Sequence, residues 1–226
     1  MLLFLLQEPA PLQTEKTLSL IELIKNGGLG GQLIIGLLFV LLLMVTYIYF
    51  ERLFAIRSAV KVSPNFMPQI RSFVMNGKID GAQQLCIQEN VPVARLISKG
   101  LSRIGRPLDD INTAIENAGR LEVYQLEKNI SVLATISGAA PMLGFLGTVI
   151  GMILSIFEIS NAGGNIDMKL LSDGLYTAMT TTVAGLIVGI VAYITYNHLV
   201  VKTNKVVYQM EATSFDFLDL LNEPAA

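Results

Sequence analysis

Inside otherwise apolar stretches of this 226-residue chain, the side chains with chemistry to offer are hydroxyls. Thr148 lies in one stretch, and Thr177, Thr180, Thr181 and Thr182 cluster near one end of another. A threonine in a lipid-embedded helix can bond its own backbone carbonyl one turn back, which satisfies it locally. Alternatively it can hold water or a carboxylate in a hydrated seam. Beside the hydroxyls runs a second pattern. Gly144, Gly147 and Gly151, with Ala140 and Ser155, recur at three- and four-residue spacing, as do Ala178, Thr181, Gly185, Gly189 and Ala192. Small-residue stripes let a second backbone come close, which is how helices associate where lipid supplies no hydrophobic drive. Helix packing within or between subunits is the plain reading of both patterns. The threonine cluster favours the lining of a hydrated interior, and both readings stay open on composition. Pro141 bears on helix shape.

An absence sharpens the question. Residues 129–157 and 174–201 contain no Asp, Glu, Lys or Arg, and their one histidine, His198, stands near an end beside Tyr196 and Asn197, where it reads as an interfacial cap. A proton path across a membrane normally uses an ionisable group inside it. If protons cross here, another chain must bring the carboxylate. Nothing in the sequence has the pattern of a catalytic nucleophile, a metal cluster or a nucleotide site. The glycine-rich Gly27 to Gly31 run lacks the Lys-Ser/Thr of a phosphate loop.

The elements that would position these hydroxyls are helices. The chain is 52% hydrophobic and 15% charged, with mean hydropathy +0.57, outside the ordinary soluble range. Residues 26–50, 129–157 and 174–201 are free of charge, and each exceeds the roughly 20 residues that cross about 30 Å of hydrocarbon. The expected fold is all-α: an integral membrane protein with three transmembrane helices, two of them long and extending into a helical cytoplasmic domain. Between the first and second spans, Ser63-Pro64 reads as a cap with proline at the first helical position, and Pro92 and Pro107 each start another short helix. From Asp109 to Pro141 no proline interrupts the apolar period, so the second span is expected to continue a long helix from outside the membrane. The third is expected to run on with Val200, Val207, Met210, Phe217 and Leu221 on one side.

Charge sets the topology. Eleven of the sixteen Lys and Arg fall between Arg52 and Lys128, and positive flanks stay cytoplasmic. The expected organisation is an N-terminal periplasmic or surface helix (1–28), span one (29–50), a cytoplasmic helical region (51–128) and span two (129–158). A periplasmic hairpin (159–173), span three (174–201) and a cytoplasmic C-terminal helix (202–226) complete it. The N-terminus is thus periplasmic and the C-terminus cytoplasmic. Cys86 falls in a reducing compartment, as a buried structural thiol. A net charge of −2 gives no electrostatic reason to expect nucleic acid. Two striped spans exceed what one three-helix chain can bury, which predicts a homo-oligomer.

The stretch "LEVYQLEKNISVLATISGAAPMLGFLGTVIGMI" closely resembles the second-span signature of the MotA/TolQ/ExbB proton-channel family, and "AMTTTVAGLIVGIVAYITYN" resembles its third. The resemblance implies an ExbB- or TolQ-like subunit in the bacterial inner membrane, forming a homopentamer around a dimer of ExbD/TolR-like single-span partners. The partner's membrane Asp then carries the proton, a TonB-like protein is a further candidate partner, and no cofactor is needed beyond protons as coupling ion. By motif position the family's two important threonines fall on Thr148 and Thr182, with Thr181 and Thr177 beside them on the implied pore lining. The helix-packing stripe is Gly144, Gly147, Gly151, Gly185 and Gly189. Two departures stand out: Thr177 replaces a family Glu, and Val191 a family Pro. The implied function is a proton-motive-force-driven motor acting on an outer-membrane process such as TonB-dependent import. A TolQ-type envelope-maintenance motor and a non-conducting membrane scaffold are the alternatives.

Overall fold

A computed structural model describes residues 29–161 and 168–222. The expected 1–28 segment, the 162–167 tip of the hairpin and residues 223–226 lie outside the described residues. Within them the chain is built of helices, with no strand: α1 (Leu29–Ala59), α2 (Phe66–Met75), α3 (Ile79–Glu89), α4 (Pro92–Leu101), α5 (Leu108–Glu127), α6 (Ile130–Asn161) and α7 (Met168–Asn222). Three helical stretches are long and apolar enough to span a membrane. The protein is an all-α membrane protein.

Two long helices dominate. The 55 residues of α7 extend about 80 Å at 1.5 Å per residue, more than twice a bilayer's hydrocarbon, so one end stands well clear of the membrane. Helix α6 packs along α7 in antiparallel pairing, and α1 leans on both. Clear of the spans, α4 packs against α5 and α7, closing a core of Val93, Leu96, Ile97, Leu101, Ile111, Ile115 and Phe217. The amphipathic character of α4 comes from its sequence. Val93, Ala94, Leu96, Ile97, Gly100 and Leu101 are buried, leaving Arg95, Ser98 and Lys99 towards the polar side.

Three sequence expectations need correction and one is extended. The long helix entering span two is broken: α5 stops at Glu127 and α6 starts at Ile130, with Asn129 at φ 65°. Asn is among the few non-glycine residues that take this left-handed conformation readily. Ser63-Pro64 precedes its helix rather than capping it, because α2 begins at Phe66 after Asn65. The inward side of α7 is Leu199, Val206, Met210, Phe217 and Leu220, one residue out of register with the expected Val200, Val207 and Leu221, which are only half-buried. His198 does more than cap, since its Nδ1 shares a 3.0 Å hydrogen bond with the Tyr49 hydroxyl of α1.

Candidate functional site

The small-residue stripes of α6 and α7 face each other. A Cβ added at Gly144 would lie 2.8 Å from the Thr181 carbonyl oxygen, and one at Gly185 would lie 2.6 Å from the Ala140 carbonyl oxygen. At Gly147 an added Cβ would meet Thr181 Cβ at 2.6 Å, and at Gly151 the Ala178 Cβ at 3.1 Å. All four glycines are therefore spent on a close approach of α6 and α7 inside one protomer, backbone to backbone at Gly144 and Gly185 and against the Thr181 and Ala178 side chains at Gly147 and Gly151. This corrects the step from two stripes to an oligomer, because each stripe buries the other.

Pro141 belongs to the same contact. The helix runs through it unbroken, but a proline has no N–H, so the Ser137 carbonyl loses its donor four residues on. Gly189 of α7 sits opposite: a Cβ there would lie 2.7 Å from Pro141 Cγ and 3.1 Å from the Ser137 oxygen. The missing side chain lets α7 cover the proline face closely.

The threonines divide into two sets. Thr181 is fully enclosed, 0% exposed, donating 2.8 Å to the Ala178 carbonyl with the Gly144 carbonyl at 3.3 Å. Thr177 is also buried, close to α1, where a Cβ on Gly31 would lie 2.7 Å from its methyl group. Thr148 and Thr182 are half-buried. Thr182 donates across the helix pair to the Gly144 carbonyl at 3.1 Å, and Thr148 donates to Phe145 of its own helix at 2.5 Å. Thr180 likewise bonds its own helix, at Tyr176. Of the four threonines on the implied pore lining, only Thr148 and Thr182 retain partly open side chains in the protomer.

Sequence reasoning missed the charged braces beside the spans. Arg52 at the end of span one donates from one terminal nitrogen to the Gln125 carbonyl of α5 at 3.2 Å and pairs through the other with Glu51. Arg95 holds Glu122 with two parallel bonds, Nε to Oε1 at 2.7 Å and a terminal nitrogen to Oε2 at 2.6 Å. Their hydrogen bond raises the pKa of the Arg95 guanidinium. Nothing in linear spacing pairs residues 27 apart on two helices. Cys86 is buried and free, and burial pushes its thiol up to about 12, so it stays neutral.

With this geometry in place, comparison with known proteins decides the family. The profile of the MotA/TolQ/ExbB proton channel family matches residues 88–212, spanning α4 to α7, both glycine stripes and both half-open threonines. The chain belongs to the MotA/TolQ/ExbB family. It is 30% identical over 144 residues to an ExbB homolog of Methanothermobacter thermautotrophicus, covering 62% of this chain and 50% of that one. It is 37% identical over 112 residues to the biopolymer transport protein ExbB of Aquifex aeolicus, covering 48% and 74%. The Tol-Pal system protein TolQ of Haemophilus influenzae is 29% identical over 93 residues, covering 41% and 40%. The chain thus spans about half the length of the archaeal relative. It is an ExbB/TolQ-like, multi-pass membrane subunit, and its match to the MotA/TolQ/ExbB family centres on the α6–α7 pair.

Proposed function

We propose that this subunit works in a bacterial inner-membrane motor driven by the proton-motive force, as a homopentamer around two ExbD/TolR-like single-span partners. The 51–128 region and the C-terminus then lie in the cytoplasm, and the hairpin after α6 in the periplasm. The observation that carries the reading is that α6 and α7 have no acid over residues 129–157 and 174–201, while Thr148 and Thr182 stay half-open there. Thr148 and Thr182 can orient water or a partner carboxylate but cannot carry a proton alone, so the acid comes from the partner span. Protonation of that acid removes its charge. This changes which hydroxyls hold it best and biases a step between ring and core. A proton crossing 100 mV releases about 2.3 kcal/mol, enough to shift a two-state balance roughly 50-fold.

Assembly is supported by the part of the protein clear of the spans. Tyr208 and Phe215 are each about two-thirds exposed and stand seven residues apart on one face of α7. Leu121 of α5 is exposed to the same extent. Apolar side chains outside lipid need a cover, and a second copy of the chain supplies one. The output is force on an outer-membrane process, with TonB-dependent import the first candidate and envelope maintenance of the TolQ kind the second.

The test is reconstitution with an ExbD/TolR-like single-span partner. Liposomes holding both proteins should show proton flux or partner-dependent work that disappears when the partner's membrane Asp is changed to Asn. Unchanged flux after that substitution, or flux from this chain alone, overturns the reading.

A further inference from the structure

Where α5 gives way to α6, the two-residue break opens a cavity of about 550 Å³. Its walls are Tyr124, Glu127, Lys128, Asn129, Ile130 and Ser131 on one side and Tyr196, Val200, Thr203 and Asn204 of α7 on the other. It sits at the polar edge of the membrane, because the charge-free stretches of spans two and three end at 129 and 201. Nothing in the motor mechanism uses it.

One wall residue is out of place. Thr203 occupies the inward register of α7, between Leu199 and Val206, where every neighbour in the series is apolar. It is 1% exposed, and its hydroxyl has no hydrogen-bond partner among the described residues. Other hydroxyls of α7 resolve this locally, since Thr180, Thr195, Thr213 and Ser214 each bond the carbonyl four residues back. Thr203 does not. A buried polar group without a partner costs the protein its full desolvation penalty, so its place on the cavity wall points to a ligand.

The charges around the cavity say which ligand. α5 ends here and α6 begins here, so the negative end of one helix dipole and the positive end of the next border one space. Glu127 stands at the first and Lys128 immediately before the second. Neither has an ion pair among the described residues. The α6 start, with N–H groups that lack intrahelical partners, suits a phosphate. The α5 end with Glu127 suits an ammonium. Tyr124 and Tyr196 are amphipathic rings of the type that settles at headgroup level, and Ile130 and Val200 offer apolar wall.

We propose that this cavity binds the headgroup of a zwitterionic aminophospholipid. The phosphate lies at the α6 N-terminus with Lys128 and the Thr203 hydroxyl, and the primary ammonium lies towards Glu127. A lipid seated there ties span two to span three at the membrane edge and fills the gap left by the broken helix.

Native mass spectrometry of the detergent-purified, assembled protein tests this, using phosphatidylethanolamine, phosphatidylcholine and phosphatidylglycerol added separately at equal concentration. The expected result is preferential retention of phosphatidylethanolamine, because the quaternary ammonium of phosphatidylcholine cannot donate to Glu127 and phosphatidylglycerol has no cation. Thr203→Val removes the orphan hydroxyl without a change of shape, so folding is not at risk. Retention should fall about tenfold, as expected for a lost hydrogen bond to a charged group. Lys128→Gln should do the same, and Glu127→Gln should erase the preference over phosphatidylcholine. Equal retention of the three lipids, or retention unaffected by Thr203→Val and Lys128→Gln, overturns the proposal. So does retention of no lipid, which would mean that a neighbouring subunit or water fills the cavity. Displacement of the lipid by O-phosphoethanolamine at equal concentration would also overturn it, in favour of a soluble phosphate compound.

Discussion

Gly185 and Gly144 meet backbone to backbone: a Cβ built on Gly185 would lie 2.9 Å from the Gly144 Cα and 2.6 Å from the Ala140 carbonyl oxygen. Neither obstacle is a flexible side chain that can swing aside. Gly185→Ala is therefore expected to force α6 and α7 apart and, with them, the Thr182 bond to Gly144. Gly138→Ala is the control, because a Cβ there meets nothing within 4 Å and alanine favours the helix by about 1 kcal/mol. Thermal unfolding in detergent should show a large drop for the first and no loss for the second. Equal behaviour of the two would refute the close-packed seam.

The break before span two gives a prediction of opposite kind. Asn129 holds φ 65°, a conformation that costs an ordinary L-residue about 1–2 kcal/mol. Asn129→Gly should be neutral or slightly stabilising, and Asn129→Ala should destabilise by about 1 kcal/mol in a denaturant titration. If alanine matched or exceeded glycine, the helix would be continuous at this point.

How far the sequence carries can be read at these same places. The three spans were legible because each is longer than a bilayer requires and carries no charge, and the glycine stripes because their spacing is local. The break at Lys128 and Asn129 was not, since neither proline nor glycine marks it and the apolar period of Leu126 and Ile130 passes straight over it. The inward register of α7 slipped by one residue because Leu199, Val200 and Val201 are all apolar, and a period of 3.6 cannot choose among three adjacent candidates. Thr181 and Thr182 are neighbours of the same type. Which one is enclosed and which half-open depends on where α6 lies, and that is set by the Gly144 contact rather than by either threonine.

Cys86 yields a prediction in pH. Its folded pKa is about 12, whereas an unfolded thiol titrates near about 8.5. Below that lower value both states hold the proton and stability is level. Above it the unfolded chain loses the proton first, so stability falls towards pH 12 by up to about 1.4 kcal/mol per unit. Melting curves between pH 7.5 and roughly 10.5 should steepen this way in the wild type and less so in Cys86→Ala, with the slopes compared rather than the absolute values. A thiol reagent at neutral pH should react with Cys86 only after denaturation, and rapid labelling of the native protein would contradict its burial.

Arg95 and Glu122 brace α4 against α5. Arg95→Met leaves a nearly buried carboxylate without its two-pronged partner, at an expected cost of about 1–2 kcal/mol, held low because 41% of the Arg95 side chain is exposed and solvent screens the pair. Arg95→Met combined with Glu122→Leu should recover most of that loss, since no unpaired charge then remains. A double variant as unstable as the sum of the singles would show that the two side chains act independently.

Thr148 separates a proton path from simple packing. Its hydroxyl donates to Phe145 of its own helix, so nothing between α6 and α7 hangs on that proton, and Thr148→Val keeps the side-chain volume. Assembly is expected to survive while partner-dependent proton flux falls by at least tenfold, because the half-open hydroxyl that would face the partner's acid is gone. Thr182→Val should lose flux as well and also weaken the helix pair by about 0.6–1.7 kcal/mol, the range for a hydrogen bond between membrane helices. Thr181→Val should behave differently, because that side chain is fully enclosed: some stability is lost, but flux per assembled ring is kept. The measurements are oligomer recovery and flux, taken on the same preparations. Full flux from Thr148→Val in the presence of the partner would leave the hydroxyl no part in the proton path, and the seam would then be a packing surface only.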